Sequence, residues 1–268
     1  MVVLEGAELL SVALTAGARV ESVYVAPEGR AVPAVTEVVD RAHAAGARVF
    51  DLAPGVIERI TDTVTPQPVV AVVGFAPAKL EEVRNASLVL VCVDVRDPGN
   101  AGTVIRTADA AGVDAVICCD GTVDPTNPKT VRSSAGSLFH LPVVSGGSAE
   151  AVIETLRTWG FTTVGSVVRD GMDYTSFDWR RPVALVFGNE ASGLSGEVTD
   201  QLDVGVTIPM AGRAESLNVS VSAAVLCFEA LRQRRVAGDG SRSTMPGMDG
   251  ATGRPGTTPG GGPGEAPS

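Results

Sequence analysis

The sequence predicts an α/β protein in which mostly parallel sheets are covered by helices. Three observations predict it. Short apolar runs recur along the chain with stretches of helical period between them, the alternation that βαβ layering produces. The 268 residues are 44% hydrophobic, enough for one large or two medium domains with a sizeable core. The composition then changes at the end: residues 237–268 hold 10 Gly and 5 Pro but no Val, Ile, Leu, Phe, Trp, Tyr or Cys. Such a segment cannot bury enough apolar area to offset its chain entropy, so a disordered tail is expected there.

The elements follow in order. A helix is predicted over 5–15, where Leu10, Ala13 and Leu14 share a face, then a strand over 22–25. Val35, Val38, Val39 and Ala42 mark a helix over 35–45, followed by strands over 48–51 and 69–75. Pro77 and the charged residues from Lys79 to Arg84 then read as a linker, 79–86, closing a small domain at 1–78. A larger domain, 87–236, opens on a strand over 88–94 and a helix over 103–111 carrying Val104, Ala108 and Ala111. Next come a strand over 115–119, a helix over 149–159 (Ala149, Val152, Ile153, Leu156) and strands over 162–167, 183–187 and 204–209. Val219, Ala223, Leu226 and Ala230 place a last helix over 217–234.

Composition excludes several classes. No apolar run approaches the ~18 residues of a membrane span, and the first residues, Met1-Val2-Val3-Leu4-Glu5, carry no basic segment of a secretory signal. Four cysteines without a CxxC pair fit neither a zinc ribbon nor a disulfide scaffold, so a reducing cytoplasmic location is expected. Against 31 Asp+Glu there are 21 Lys+Arg, a net charge of −10. Non-specific nucleic-acid binders are usually basic, so any such function must rest on a local cluster of cations.

Three loops follow apolar strands in the larger domain, where open α/β sheets bind ligands. They are Asp97-Pro98-Gly99-Asn100 through Arg106, Gly188-Asn189-Glu190 through Leu194, and Ile208-Pro209-Met210 through Ser220. None fits a common nucleotide fingerprint: Leu194-Ser195 stands where a P-loop needs its lysine, and no G-x-G-x-x-G follows a strand. The residues alone leave two readings open. The loops are ordinary turns with glycine at positive φ and Ser216 as a helix N-cap, or they build a ligand site.

Three patterns resemble, in order and spacing, the motifs of the SpoU/TrmH family of S-adenosylmethionine-dependent RNA ribose 2′-O-methyltransferases, in the SPOUT superfamily. They are Asn100-x-Gly102-x-x-x-Arg106, Phe187-Gly188-Asn189-Glu190-x-x-Gly193-Leu194, and Ile208-Pro209-Met210 with Ser216-Leu217-Asn218-Val219-Ser220-x-x-Ala223. The resemblance covers about residues 88–234. Residues 1–78, with Leu4-Glu5-Gly6 before a helix, look like the family's ribosomal L30e-like substrate-binding domain. The arrangement is similar to the thiostrepton-resistance type of 23S rRNA methyltransferase.

The resemblance implies a SPOUT-type catalytic domain closed by a deep trefoil knot, which no periodicity argument could reach because knots are nearly absent from proteins. It implies a donor pocket formed by Gly188, Asn189, Ile208, Met210, Ser216 and Leu217, with Val167 at its edge. Asn100, Arg106, Ser216 and Asn218 become the catalytic set, Glu190 a structural residue, and part of 217–234 a homodimer interface. RNA is the expected partner, rRNA ahead of tRNA, with no metal, DNA or membrane. Because guanidinium stays protonated at ordinary pH, Arg106 is expected to stabilise the nascent ribose alkoxide rather than remove its proton. Lys129 and Arg132, in a further family-like segment from Asn127 to Phe139, fall one turn apart if helical. With Arg106 they would supply the cationic cluster for phosphates.

Other candidates are weak. His43 and His140 have no ligand-spaced partners. Cys92, Cys118 and Cys119 read as buried small residues, and Trp159 and Trp179 as packing. Two other functions compete: a catalytically silent RNA-binding or ribosome-assembly protein of the same fold, and an unrelated α/β enzyme of small-molecule metabolism. Intact Asn100, Arg106, Ser216 and Asn218 speak against the first.

Overall fold

The structure, a computed structural model, describes residues 1–61 and 63–237. The amino-terminal part comprises β1 (Val2–Glu5), α1 (Ala7–Thr15), β2 (Val20–Val25), α2 (Pro33–Ala44), β3 (Arg48–Asp51), the short α3 (Ile57–Ile60) and β4 (Val69–Val73). Its sheet runs β1-β4-β2-β3. Only β2 and β3, joined through α2, are parallel; β4 lies antiparallel to both β1 and β2. The expectation of mostly parallel strands fails here because β4 returns between two strands already laid down. β1 was hidden by its shortness and by its fusion to α1, so the predicted helix began two residues early. Gly6 separates the two at φ 99°, a conformation that costs glycine little.

The larger part comprises β5 (Leu88–Cys92), α4 (Pro98–Ala110), β6 (Ala115–Cys118), α5 (Pro128–Ser133), β7 (Val143–Ser145), α6 (Ala149–Thr158) and β8 (Thr162–Ser166). β9 (Met172–Asp173), β10 (Val183–Phe187), α7 (Gly196–Thr199), β11 (Val204–Thr207) and α8 (Val219–Ala237) follow. The seven strands are ordered β7-β6-β5-β10-β8-β11-β9, and every pairing is parallel. Alternate residues feed two cores. Leu88, Leu90, Leu185 and Phe187 pack against α4 and α8, through Val104, Ile105, Leu226 and Cys227. Val89, Val91, Ala184 and Val186 pack against α6 through Val152, Ile153 and Leu156. Burial on both faces is why these strands read as unbroken apolar runs.

Several boundaries moved for local reasons. Asp94, at φ 57°, ends the extended run after Cys92. α4 starts five residues earlier than predicted, because Asp97 accepts from the Asn100 N–H as N-cap and Pro98 takes the first position. Its Gly99 and Gly102 had disguised the helical turn as loop. α8 starts at Val219, and Asn218, not Ser216, caps it by accepting from the Ser220 N–H at 2.9 Å. The linker 79–86 is not a free strand of chain: a 3-10 turn at Leu80–Val83 buries Val83, and Ala78 bridges to Val144. From residue 238 the predicted tail lies outside the described residues.

Packing roles expected of single residues hold. Trp179 is fully buried, edge-to-face on Phe177, with Nε1 donating to the Tyr174 carbonyl at 2.8 Å. All four cysteines are buried and free, and burial pushes the Cys119 and Cys227 thiols up to about 12.

Candidate active site

In the larger sheet, the chain leaves β7 through α6, reaches β8 across the sheet, and later returns to insert β10 beside β5. The strand order therefore reverses between β5 and β10, and a ligand crevice forms beyond the carboxyl ends at such a point. The first two loops leave from these strands. They are laced together by the Val93 N–H donating to the Phe187 carbonyl at 2.8 Å and by Asn189 Nδ2 donating to the Asp94 carbonyl at 2.9 Å.

The second loop is a tight hairpin. Asn189 and Gly193 exchange backbone hydrogen bonds of 3.0 and 2.9 Å, and Asn189 Oδ1 accepts from the Ala191 N–H at 2.9 Å. A Cβ on Gly188 would come under 3.0 Å from the backbone of Gly193 and Leu194, so only glycine fits there. The next residue, Glu190, turns back to the first loop. Its carboxylate accepts from the backbone N–H of Asp97 at 3.0 Å and of Arg96 at 3.3 Å, and from Asn100 Nδ2 at 3.2 Å. Burial disfavours its charge, but these donors and its own backbone outweigh burial and hold the carboxyl below its ordinary range.

A polar chain then joins all three loops. Asn100 Oδ1 accepts from Asn218 Nδ2 at 3.0 Å, and Asn218 Oδ1 accepts from the Ser220 hydroxyl at 2.6 Å. Glu190, Asn100, Asn218 and Ser220 are thus linked across elements that are distant in sequence. Each asparagine donates from one end of its amide and accepts at the other, which fixes both side chains.

The cleft opens between the ends of β8, β10 and β11. Val167, Gly188, Asn189, Ile208, Met210, Ser216 and Leu217, the residues expected around the donor, all line it. Phe187, Glu215, Val219 and Ser222 line it too and were missed. Ser222 had a signal, lying one helical turn beyond Asn218, and Phe187 ends the preceding strand. Between Ile208 and Leu217, among the described residues, the backbone closes no hydrogen bond with the rest of the chain. Residues 209–216 are exposed, so these main-chain groups face solvent and stay available to a ligand with many donors and acceptors.

The basic residues separate. Arg106 is exposed on α4 and makes no hydrogen bond or ion pair among the described residues. Lys129 Nζ lies 3.5 Å from Asp97 Oδ2, close to the first turn of α4. Arg132 instead faces Glu5 of β1 at 3.9 Å. The segment is helical, so Lys129 and Arg132 fall one turn apart as expected, but they face different carboxylates, Asp97 and Glu5. His140 is engaged by Asp109 at 2.8 Å.

Comparisons with known proteins agree with this geometry. Residues 87–228 match the model of the SpoU rRNA Methylase family, and residues 3–77 match that of RNA 2′-O ribose methyltransferase substrate binding. The chain is 37% identical, over 84% of its length and 86% of the relative's, to the 23S rRNA (guanosine(2553)-2′-O)-methyltransferase RlmP of Bacillus subtilis (strain 168). Its fold matches the AdoMet-bound rRNA methyltransferase of Sinorhizobium meliloti with a TM-score of 0.76 at 34% identity, covering 86% of this chain and 87% of that one. It also matches the SpoU methyltransferase AviRb of Streptomyces viridochromogenes in complex with AdoMet, with a TM-score of 0.78 at 31% identity, covering 87% and 90%.

Proposed function

Because this chain belongs to the SpoU rRNA methylase family, we propose that it transfers a methyl group from S-adenosylmethionine to a ribose 2′-hydroxyl of 23S ribosomal RNA. The observation that carries this reading is a cleft walled by the chain after β8, β10 and β11, with Asn100 of the first loop tied to it through Asn218 and with one wall, 208–217, that leaves its backbone unspent. The cleft suits the donor. Val167, Ile208 and Leu217 offer apolar surface for a purine ring, and free main-chain N–H and C=O groups match its hydrogen-bonding edge. When bound, the donor supplies an electrophilic methyl on a sulfonium.

The chain's own residues do the rest. Gly188, Ile208, Met210 and Leu217 hold the adenosyl group by their backbones, and Ser216 offers a hydroxyl to the donor or the ribose. Asn189 spends its side chain on the hairpin and contributes main chain. Glu190 is structural: it fixes Asn100, which in turn fixes Asn218. Arg106, without a partner among the described residues, can meet the target ribose and its adjacent phosphate. Protonated throughout, it stabilises the charge that develops as the hydroxyl loses its proton. Lys129 lies where a second phosphate contact would fall.

The same reading extends to architecture. Residues 1–78 act as an L30e-like RNA-recognition domain, 79–86 as the connection, and 87–236 as the catalytic domain. The chain around the cleft is threaded as a deep trefoil knot, and α8 pairs with its counterpart in a homodimer. Val221 and Phe228, seven residues apart and about half exposed on α8, support that pairing. The test is transfer of labelled methyl from S-adenosylmethionine to a 23S rRNA transcript, with bulk tRNA alongside. Label in the 23S transcript alone supports the proposal; label confined to tRNA, or none, refutes it.

A further inference from the structure

Glu5 ends β1 with a side chain only 8% exposed, and its carboxylate is engaged on every side. Oε1 accepts from the Thr63 hydroxyl at 2.5 Å and from the Gln67 backbone N–H at 3.0 Å. Oε2 faces Nη1 of Arg132 at 3.9 Å. A carboxylate so withdrawn from water is costly without a charge partner, and among the described residues Arg132 is the cation within reach.

Two more contacts lie on the same seam. Gly136 sits at φ +92°, and a Cβ there would meet Val12 Cγ1 at 2.6 Å, so α1 rests on bare backbone. Phe75 and Phe139 meet edge to face at 6.4 Å. The other side of α5 is pressed onto α4. A Cβ on Gly102 would come under 3.0 Å from the Thr130 carbonyl, and the Ser133 hydroxyl donates to the Pro98 carbonyl at 3.0 Å. α5 is thus a plate between the amino-terminal sheet and the helical turn that carries Asn100.

We propose that Glu5 is a positioning residue for methyl transfer: by holding Arg132 it docks the amino-terminal sheet onto α5, and through α5 onto the first turn of α4. The proposal rests on the methyltransferase reading above, since it fixes where RNA held by residues 1–78 meets the donor cleft. It gives Glu5 and Gly102 separate tasks in one assembly. Gly102 lets α5 approach, and Glu5 supplies the charge that keeps the amino-terminal sheet on it.

The test uses the full chain, a 23S rRNA transcript and four variants: Glu5→Gln, Arg132→Gln, the double variant, and Arg132→Lys. Glu5→Gln keeps an amide oxygen for Thr63 and Gln67 and removes only the charge facing Arg132. KM for the transcript should rise on the order of fivefold in each Gln variant, with kcat and donor affinity unchanged. The double variant should be no worse than either single, because both remove one contact, and Arg132→Lys should recover most of the loss. Hydrogen exchange of the protein alone should quicken at residues 63–68 and in α5 in Glu5→Gln. That readout needs no RNA, so a wild type that fails to methylate the transcript would refute the function while leaving the docking testable. Unchanged exchange, additive effects on KM, or a loss confined to kcat would overturn the proposal. So would a lower KM in Glu5→Gln, which would mean that Glu5 competes with RNA for Arg132.

Discussion

Replacing Gly188 by alanine puts one methyl group where the structure has no room. The ideal Cβ comes under 3.0 Å from Gly193 and Leu194, whereas carbon contacts settle at ~3.5–4.0 Å. The missing half ångström or more cannot come from a side chain, because every nearest atom is backbone. The hairpin must open, and the reciprocal Asn189–Gly193 hydrogen bonds of 3.0 and 2.9 Å are what hold it shut. Two such bonds at ~0.5–1.5 kcal/mol each, with ~1–3 kcal/mol of overpacking strain, give a destabilisation of ~2–6 kcal/mol. Urea unfolding reads that directly, and at this chain length each kcal/mol lowers the melting temperature by roughly 2–4 °C. Because Asn189 is tied to Asp94 and Glu190 to Arg96 and Asp97, the displacement moves a wall of the cleft as well as the hairpin. Calorimetry under conditions where the variant is folded should therefore show S-adenosylmethionine binding weakened at least tenfold. A folded Gly188→Ala protein with wild-type donor affinity would refute the reasoning, since it would mean that this loop is not part of the donor site.

Other expectations follow from single contacts. Arg106→Ala should slow single-turnover methylation by ~10²–10³-fold, the loss typical of one preorganised charge-stabilising donor, with donor binding unchanged and Arg106→Lys recovering part. Were the lysine variant to gain rate with pH more steeply than wild type, proton removal would be its role instead. Arg234 donates to the carbonyls of Trp179 (2.8 Å), Ser87 (2.8 Å) and Arg181 (2.9 Å); the Ser87 carbonyl keeps the Val183 N–H at 2.9 Å, so Arg234→Ala orphans the other two and should cost ~2–4 kcal/mol in urea unfolding. Asp203 accepts from the Thr163 N–H and hydroxyl at 2.9 and 2.8 Å and faces Arg157 at 3.3 Å. Burial opposes its charge, yet these partners hold its carboxyl below the ordinary value. Its stabilising contribution is then complete above the unfolded pKa of ~3.9 and lost as pH falls through the lower folded value. Asp203→Asn should lower stability at pH 7 and flatten the acid limb of a stability–pH profile; a limb unchanged in steepness would contradict this.

The cleft was legible in the sequence because its makers are contiguous. Gly188-Asn189-Glu190 falls at the end of an apolar strand and Ser216-Leu217-Asn218 at the threshold of the last helix, so the residues lining one wall can be read in a row. What joins the walls was less legible. That Asn100 meets Asn218 through one amide follows from β10 inserting beside β5, which no local period encodes. The first turn of α4 was lost for a different reason: Gly99 and Gly102 weaken helical propensity, and Gly102 is there for the approach of α5, a tertiary demand. The approach of Arg132 to Glu5 was not legible because helical spacing predicts which side chains lie near one another and says nothing of a carboxylate arriving from β1. The short β1, β7 and β9 carried too few residues to show a period.

On the function proposed above, a ribose hydroxyl, and not a base, receives the methyl group. A 2′-O-methyl group removes the nucleophile that cleaves RNA in alkali, so a modified nucleotide leaves a gap in an alkaline ladder. The direct measurement is such a ladder of 23S rRNA transcript after incubation with protein and S-adenosylmethionine, beside reactions lacking either one. A gap is expected at a discrete position in the complete reaction, absent without protein or donor and absent with Arg106→Ala over the same time. Methyl label entering the transcript with an unbroken ladder would place the group on a base and contradict it.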